Sequence, residues 1–148
     1  MKKRISILGS TGSIGINALK IADSLPDIIK IKNLTANSNF ELLIEQTKKY
    51  NPRSICIVQE QFYKSLKEGV NSKQVEILVG RQGLIELCKQ KDVDVMLNGL
   101  VGAAGMEPTL NALESGVNVA LANKESLVMA GGIINEAMKK SGAKLFPV

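Results

Sequence analysis

An α/β fold, with a doubly wound, mostly parallel sheet and helices on both faces, is what this 148-residue sequence predicts. Three observations carry that expectation. Short, predominantly apolar runs such as SICIV at 54–58 and VNVAL at 117–121 alternate with stretches of helical period. Strands that are apolar on both faces belong to a parallel sheet covered on two sides. Lastly, Gly9, Gly12 and Gly15 fall between the first apolar run and the first helical stretch. That is where a Rossmann-like unit makes its phosphate-binding turn.

The elements follow in order. Residues 4–8 (RISIL) suit a buried strand. After the glycines, Ile14, Ala18, Ile21, Ala22 and Leu25 recur at helical spacing, and Pro26 ends that helix. Ile29 and Ile31 alternate with Lys30 and Lys32, which predicts a half-covered strand running to about Ala36. Phe40, Leu43, Ile44 and Thr47 restore the helical period, with Asn39 as its cap.

Four further strands are expected at 54–58, 75–79, 93–97 and 117–121. The helical pattern between them is weak around 60–68 and clearer at 84–91 and 107–115, where Pro108 suits a first turn. A long helix from about Lys124 to Lys140 places Leu127, Ala130, Ile134, Ala137 and Met138 on one face, and AKLFPV begins another strand. No linker, repeat or low-complexity segment divides the chain, so residues 1–148 form one domain.

Composition narrows the chemistry. The formal charge is +5, but Lys48 and Lys49, Lys89 and Lys91, and Lys139 and Lys140 sit near helix ends, where cations meet the negative pole of the dipole. Aromatic residues make up 3% of the chain and Trp is absent, which leaves no stacking platform for bases; nucleic acid is not an expected partner. With no histidine, the chain holds no histidine triad and no imidazole metal site. Cys56 and Cys88 have neither metal nor redox spacing and read as reduced core thiols. No apolar run is long enough for a signal core or a membrane span, so a cytoplasmic protein without membrane attachment is expected.

The glycine turn reads either as a tight turn without chemical consequence or as a cradle for a pyrophosphate. In the second reading one glycine turns the chain, one exposes bare backbone to the phosphates and one lets the helix approach the strand. The helix start then supplies unpaired amides and a positive dipole end. Spacing of the form Gly-x-x-Gly-x-x-Gly adds the hydroxyls of Thr11 and Ser13, and no Gly-Lys-Ser/Thr ending marks a nucleoside-triphosphate loop. Units that prefer NAD place a carboxylate about 20 residues onward to bind the ribose hydroxyl. Here LTANSNF has none between Asp27 and Glu41, so Asn37, Ser38 and Asn39 would tolerate an extra phosphate and NADPH is expected over NADH.

A second group of segments, GLVGAAG at 99–105 and ANKESL at 122–127, follows strands at their carboxyl ends, where open α/β sheets bind ligands. Taken alone, Asn123, Lys124 and Glu125 fit ordinary helix capping better than they fit catalysis.

GSTGSIG at 9–15, GLVGAAG followed by Pro108-Thr109-Leu110, and LANKESLV at 121–128 together closely resemble the 1-deoxy-D-xylulose 5-phosphate reductoisomerases, essentially end to end. The resemblance implies an NADPH-binding domain of an oxidoreductase and isomerase in non-mevalonate isoprene biosynthesis. That enzyme rearranges 1-deoxy-D-xylulose 5-phosphate and reduces the product to 2-C-methyl-D-erythritol 4-phosphate with NADPH and a divalent metal, magnesium or manganese. By resemblance, Thr11, Gly12, Ser13 and Ile14 hold the pyrophosphate and ribose, and Asn37, Ser38 and Asn39 surround the adenosine phosphate. Asn123 and Glu125 contact the nicotinamide end, and Lys124 reaches the sugar phosphate.

Several family members carry a lysine where Ser38 stands. The family's metal pattern, Asp-Ser-Glu-His, follows the strand that ends here at Pro147-Val148, so no metal ligand and no complete catalytic set is expected in this chain. The expectation is therefore a cofactor-binding portion, inactive alone, of an enzyme that is a homodimer at full length. Two other readings stay open: a non-catalytic dinucleotide-binding module and a small unrelated NADP-dependent reductase.

Overall fold

The structure, a computed structural model, describes residues 1–122 and 124–148, with the side chains at 124–127, 129 and 130 outside the description. Seven strands form one sheet: β1 (Lys3–Leu8), β2 (Ile29–Ala36), β3 (Ser54–Ile57), β4 (Glu76–Val79), β5 (Val95–Asn98), β6 (Asn118–Leu121) and β7 (Leu145–Pro147). The helices are α1 (Ser13–Ser24), α2 (Phe40–Tyr50), α3 (Tyr63–Gly69), α4 (Gly80–Cys88), α5 (Met106–Glu114) and α6 (Lys124–Ser141).

Every strand pair is parallel, and the spatial order is β4-β3-β2-β1-β5-β6-β7. The chain winds outward from β1 to one edge, returns to β1's other side at β5, and winds outward again. The point of reversal, between β1 and β5, is where sheets of this kind open a ligand crevice at their carboxyl ends.

Alternation along the strands divides the core in two. Ile7, Ile31, Leu34, Ile55 and Ile57 pack with Leu19 and Ala22 of α1, Leu43 of α2 and Leu66 of α3. Leu8, Cys56, Met96, Val119 and Leu121 pack on the other side with Leu84 and Leu87 of α4, Leu113 of α5 and Ile134 and Ala137 of α6. The sheet is thus covered on both faces by aliphatic side chains, as its sequence predicts.

Local chemistry accounts for the boundaries. Asn39 caps α2 by accepting from the Leu42 amide at 3.1 Å, and Asn51 closes that helix in the left-handed region at φ 51°. Lys48 and Lys49 occupy its last turn, and Lys139 and Lys140 the last turn of α6. Pro108 lies in the first turn of α5.

Two expectations need correction. α4 begins at Gly80 rather than 84 and ends at Cys88 rather than 91, because Gly80, at φ +79°, turns the chain from β4 straight into the helix. In α1 the helical period is present but faces differently: Gly15, Leu19 and Ala22 are buried, while Ile14 and Ile21 are 39% and 57% exposed. The glycine, not the isoleucines, sets that rotation, since only Gly15 fits against the preceding turn.

Candidate functional site

Where β1 and β5 end, at the point of reversal, is the place at which sheets of this kind open a ligand crevice. Gly9 leaves β1 at φ +75°, in the left-handed region that favours glycine. A Cβ there would lie 3.4 Å from Leu100 Cδ2 and 3.5 Å from the Gly99 carbonyl, so the two connections run side by side. Gly99 donates its amide to the Leu8 carbonyl at 3.0 Å, and a Cβ on Gly99 would stand 3.0 Å from the same oxygen and 3.5 Å from Ile14 Cγ2.

The three glycines of the turn have separate jobs. Gly9 supplies the turn. A Cβ on Gly15 would lie 2.3 Å from the Gly9 carbonyl oxygen and 2.5 Å from Ser10 Cα, so Gly15 allows α1 to press against the turn. Gly12, in contrast, has room: a Cβ would meet only the Gly9 oxygen, at 3.5 Å, and its backbone is extended at φ −84°, ψ 175°. Gly12 is bare although the fold has space for a side chain there.

That bareness shapes the electrostatics. Gly12 is the N-cap of α1 and offers no side chain to the first-turn amides, and no acidic residue stands in that turn. The amides of Ser13, Ile14 and Gly15 have no carbonyl a turn before them to bond within the helix. They form the positive end of a twelve-residue helix aimed at the crevice. Among the described residues, no side chain or backbone group hydrogen-bonds the hydroxyls of Thr11 or Ser13. Thr11 is half-buried, while Gly12, Ser13 and Ile14 are exposed.

The β2–α2 connection forms the neighbouring rim. Asn37 and Asn39 are exposed and Ser38 is half-buried. The Asn37 carbonyl accepts from the Gln59 amide at 2.9 Å, and Asn39 Oδ1 is already engaged as the α2 cap. Glu41, in the first turn of α2, is exposed, so the rim is free of carboxylates through Asn39 and no further. Rim and turn are tied together by Thr35: its Oγ1 accepts from the Gly9 amide at 3.0 Å and its carbonyl from the Ser10 amide at 2.8 Å.

On the β5 side, Asn98 shapes the loop. Fully buried, it donates from Nδ2 to the Gly105 carbonyl and to Thr109 Oγ1, both at 2.8 Å, and accepts from the Leu100 amide at 3.1 Å. Its own carbonyl accepts from the Ala122 amide at 3.3 Å, which joins this loop to the end of β6. Asn123 lies outside the described residues, as do the side chains of Lys124 and Glu125; α6 begins at Lys124, directly after that strand.

Three supporting residues escaped the sequence reading. Thr35, Gln46 and Asn98 hydrogen-bond the loops, and in one dimension Thr35 and Asn98 are only polar residues in apolar strands and Gln46 one polar residue among others in a helix. The signal that could have found Asn98 is its place: a buried amide ending an otherwise apolar strand, VMLN. The cysteines behave as expected. Cys56 and Cys88 are free and buried, and burial pushes both thiols up to about 12, so neither supplies a thiolate at neutral pH. Among the described residues, no three His, Cys, Asp or Glu side chains gather where they could hold a metal, and no helix is long and apolar enough to cross a membrane.

Comparison with known proteins agrees with this geometry. Residues 5–131 match the family model for 1-deoxy-D-xylulose 5-phosphate reductoisomerase. A reductoisomerase of that description from Phocaeicola vulgatus is 41% identical over 148 residues, covering 100% of this chain and 39% of the relative. A solved reductoisomerase from Zymomonas mobilis in complex with NADPH superposes with a TM-score of 0.92 at 35% identity, over 99% of this chain and 38% of that one. A reductoisomerase solved in complex with magnesium also gives 0.92, at 38% identity, over 99% and 37% of the two chains. The chain therefore spans less than two fifths of the length of the relatives it matches.

Proposed function

The chain belongs to the 1-deoxy-D-xylulose 5-phosphate reductoisomerase family, and from that premise we propose that residues 1–148 are the NADPH-binding domain of such an enzyme. The whole enzyme converts 1-deoxy-D-xylulose 5-phosphate to 2-C-methyl-D-erythritol 4-phosphate. The observation that carries the reading is the uncapped start of α1: three amides, unpaired among the described residues, behind a bare glycine at the sheet's point of reversal. A pyrophosphate suits those donors, because it brings the acceptors and the negative charge that the helix end lacks.

Thr11, Gly12, Ser13 and Ile14 hold the pyrophosphate and its ribose in this reading. Asn37, Ser38 and Asn39 receive the adenosine phosphate without a lysine; amide and hydroxyl donors replace the cation, and the positive end of α2 lies behind them. Bound there, NADPH supplies the hydride that reduces the rearranged aldehyde. Asn123 and Glu125 contact the nicotinamide end, and Lys124, as a point cation, pairs with the sugar phosphate. The divalent metal is magnesium or manganese, as the magnesium-bound relative suggests. Among the described residues, no three His, Cys, Asp or Glu side chains form a donor set for it. A cytoplasmic homodimer is the proposed form of the whole enzyme, with no nucleic-acid partner.

Titration calorimetry with NADPH and NADH tests the reading. NADPH is expected to bind more tightly, and a crystal soaked with it should show density along residues 11–14 and 37–39. Tighter binding of NADH, or density on another face of the sheet, overturns it.

A further inference from the structure

We propose that Gln46, buried in the middle of α2, is the positioning residue of the phosphate turn; the proposal rests on the crevice being the NADPH site. Gln46 is 6% exposed and 36 residues from its partner in sequence. Its Nε2 donates to the Ser10 carbonyl at 2.9 Å, and its Oε1 accepts from the Ser10 hydroxyl at 2.7 Å. The hydroxyl also approaches the Thr35 carbonyl at 3.2 Å, but with one proton it serves one acceptor at a time, and the shorter contact takes it.

The arrangement demands an amide. One head group must donate to a carbonyl and accept from a hydroxyl at the same residue, and both groups are buried, so an unmatched atom is costly. Glutamate would set an oxygen against the Ser10 carbonyl, and leucine would leave carbonyl and hydroxyl without this partner.

Ser10 thereby loses its freedom. Its amide is held by the Thr35 carbonyl, and its carbonyl and hydroxyl by Gln46, while its side chain is fully buried. The turn beyond it has little else to hold its pose. Gly12 provides no capping side chain, and the turn's own backbone bond runs from the Gly12 amide to the Gly9 carbonyl at 3.1 Å. The start of α1 presses on this anchored residue as well as on Gly9, since a Cβ on Gly15 would lie 2.5 Å from Ser10 Cα, so the direction of the first-turn amides depends in part on how Ser10 is held. Gln46 also ties α2, which carries the adenosine-phosphate rim at its start, to the pyrophosphate turn.

The test is calorimetry on the full chain and its Gln46→Leu variant with NADPH and NADH, well below the unfolding temperature. The pyrophosphate is common to both dinucleotides, so both are expected to weaken by a common factor of roughly ten, with their ratio preserved. A Ser10→Ala variant, which keeps the amide's bond to the Ser10 carbonyl, should weaken both by a smaller common factor. The double variant should bind no worse than Gln46→Leu alone, because the two groups act through one contact. Wild-type affinity in a folded Gln46→Leu chain overturns the proposal, as does a change confined to NADPH or strict additivity in the double variant. Should Gln46→Leu not fold, unchanged affinity in Ser10→Ala overturns it. A wild-type chain that binds neither dinucleotide refutes the crevice reading instead, a distinguishable result.

Discussion

Replacing Gly12 with aspartate should make the protein more stable and nearly abolish cofactor binding. Position 12 is an N-cap with extended backbone, and a Cβ there meets nothing closer than 3.5 Å, so the fold accepts the side chain without strain. Aspartate is a preferred cap, better than glycine by a few tenths of a kcal/mol, and a carboxylate at a helix start adds about 0.3–1 kcal/mol from the dipole. Together these give about 1 kcal/mol, or a Tm higher by roughly 2–4 °C for a chain of this size.

On the proposed reading, the same carboxylate takes the amides that would hold the pyrophosphate. An N-cap oxygen bonds the second or third amide of the helix, here Ile14 or Gly15. It also sets like charge against the phosphates: at about 4 Å and an effective dielectric near 20, one such pair costs about 4 kcal/mol, close to three orders of magnitude in Kd. Thermal unfolding followed by circular dichroism gives the first quantity and calorimetry with NADPH the second. Wild-type affinity in the Gly12→Asp variant would refute the assignment of these amides to the cofactor. A lower Tm would refute the claim that the position is open.

Other expectations follow from the same geometry. Gly15→Ala puts a methyl 2.3 Å from the Gly9 oxygen, so the helix or the turn must shift by about 1 Å to reach ordinary contact. Overpacking of about 3 kcal/mol against rigid backbone outweighs the ~1 kcal/mol helical preference for alanine, leaving the variant roughly 2 kcal/mol less stable in urea titration. Gly132→Ala, in α6 where an added Cβ meets no described atom within 4 Å, should be neutral or up to about 1 kcal/mol more stable. At the opposite end of β1, Arg4 donates to both carboxylate oxygens of Asp94 at 3.1 Å from Nε and Nη2, and its amide adds a bond at 2.8 Å, holding the Asp94 carboxyl at about 2 against an ordinary 3.8. A depressed carboxyl stabilises the fold above the unfolded value and loses that contribution as pH falls toward the folded one. Urea midpoints of wild type should therefore drop more steeply than those of Asp94→Asn between pH 4 and 2, by a modest amount because the pair is partly exposed and screened.

Much of this was legible in one dimension. Apolar runs of strand length, helical period between them and three glycines at a junction are local patterns, and they identify the sheet, its parallel strands and the turn because backbone geometry repeats every two or 3.6 residues. The absence of a carboxylate between Asp27 and Glu41, and of any histidine, is likewise plain from the letters.

Tertiary structure decided what depends on distance across the chain. Periodicity in α1 marks several isoleucines, yet the helix turns Gly15, Leu19 and Ala22 inward, because a backbone contact at Gly9 sets its rotation. Ser10 is one more small residue in a glycine turn until Gln46 and Thr35 arrive from two other elements to hold it. Asn98, likewise, becomes the organiser of its loop only when Gly105 and Thr109 fold back onto it. Secondary structure and binding chemistry are written in neighbouring residues; the aim of the donors is not, since it comes from buried hydrogen bonds between segments that only the sheet order brings together.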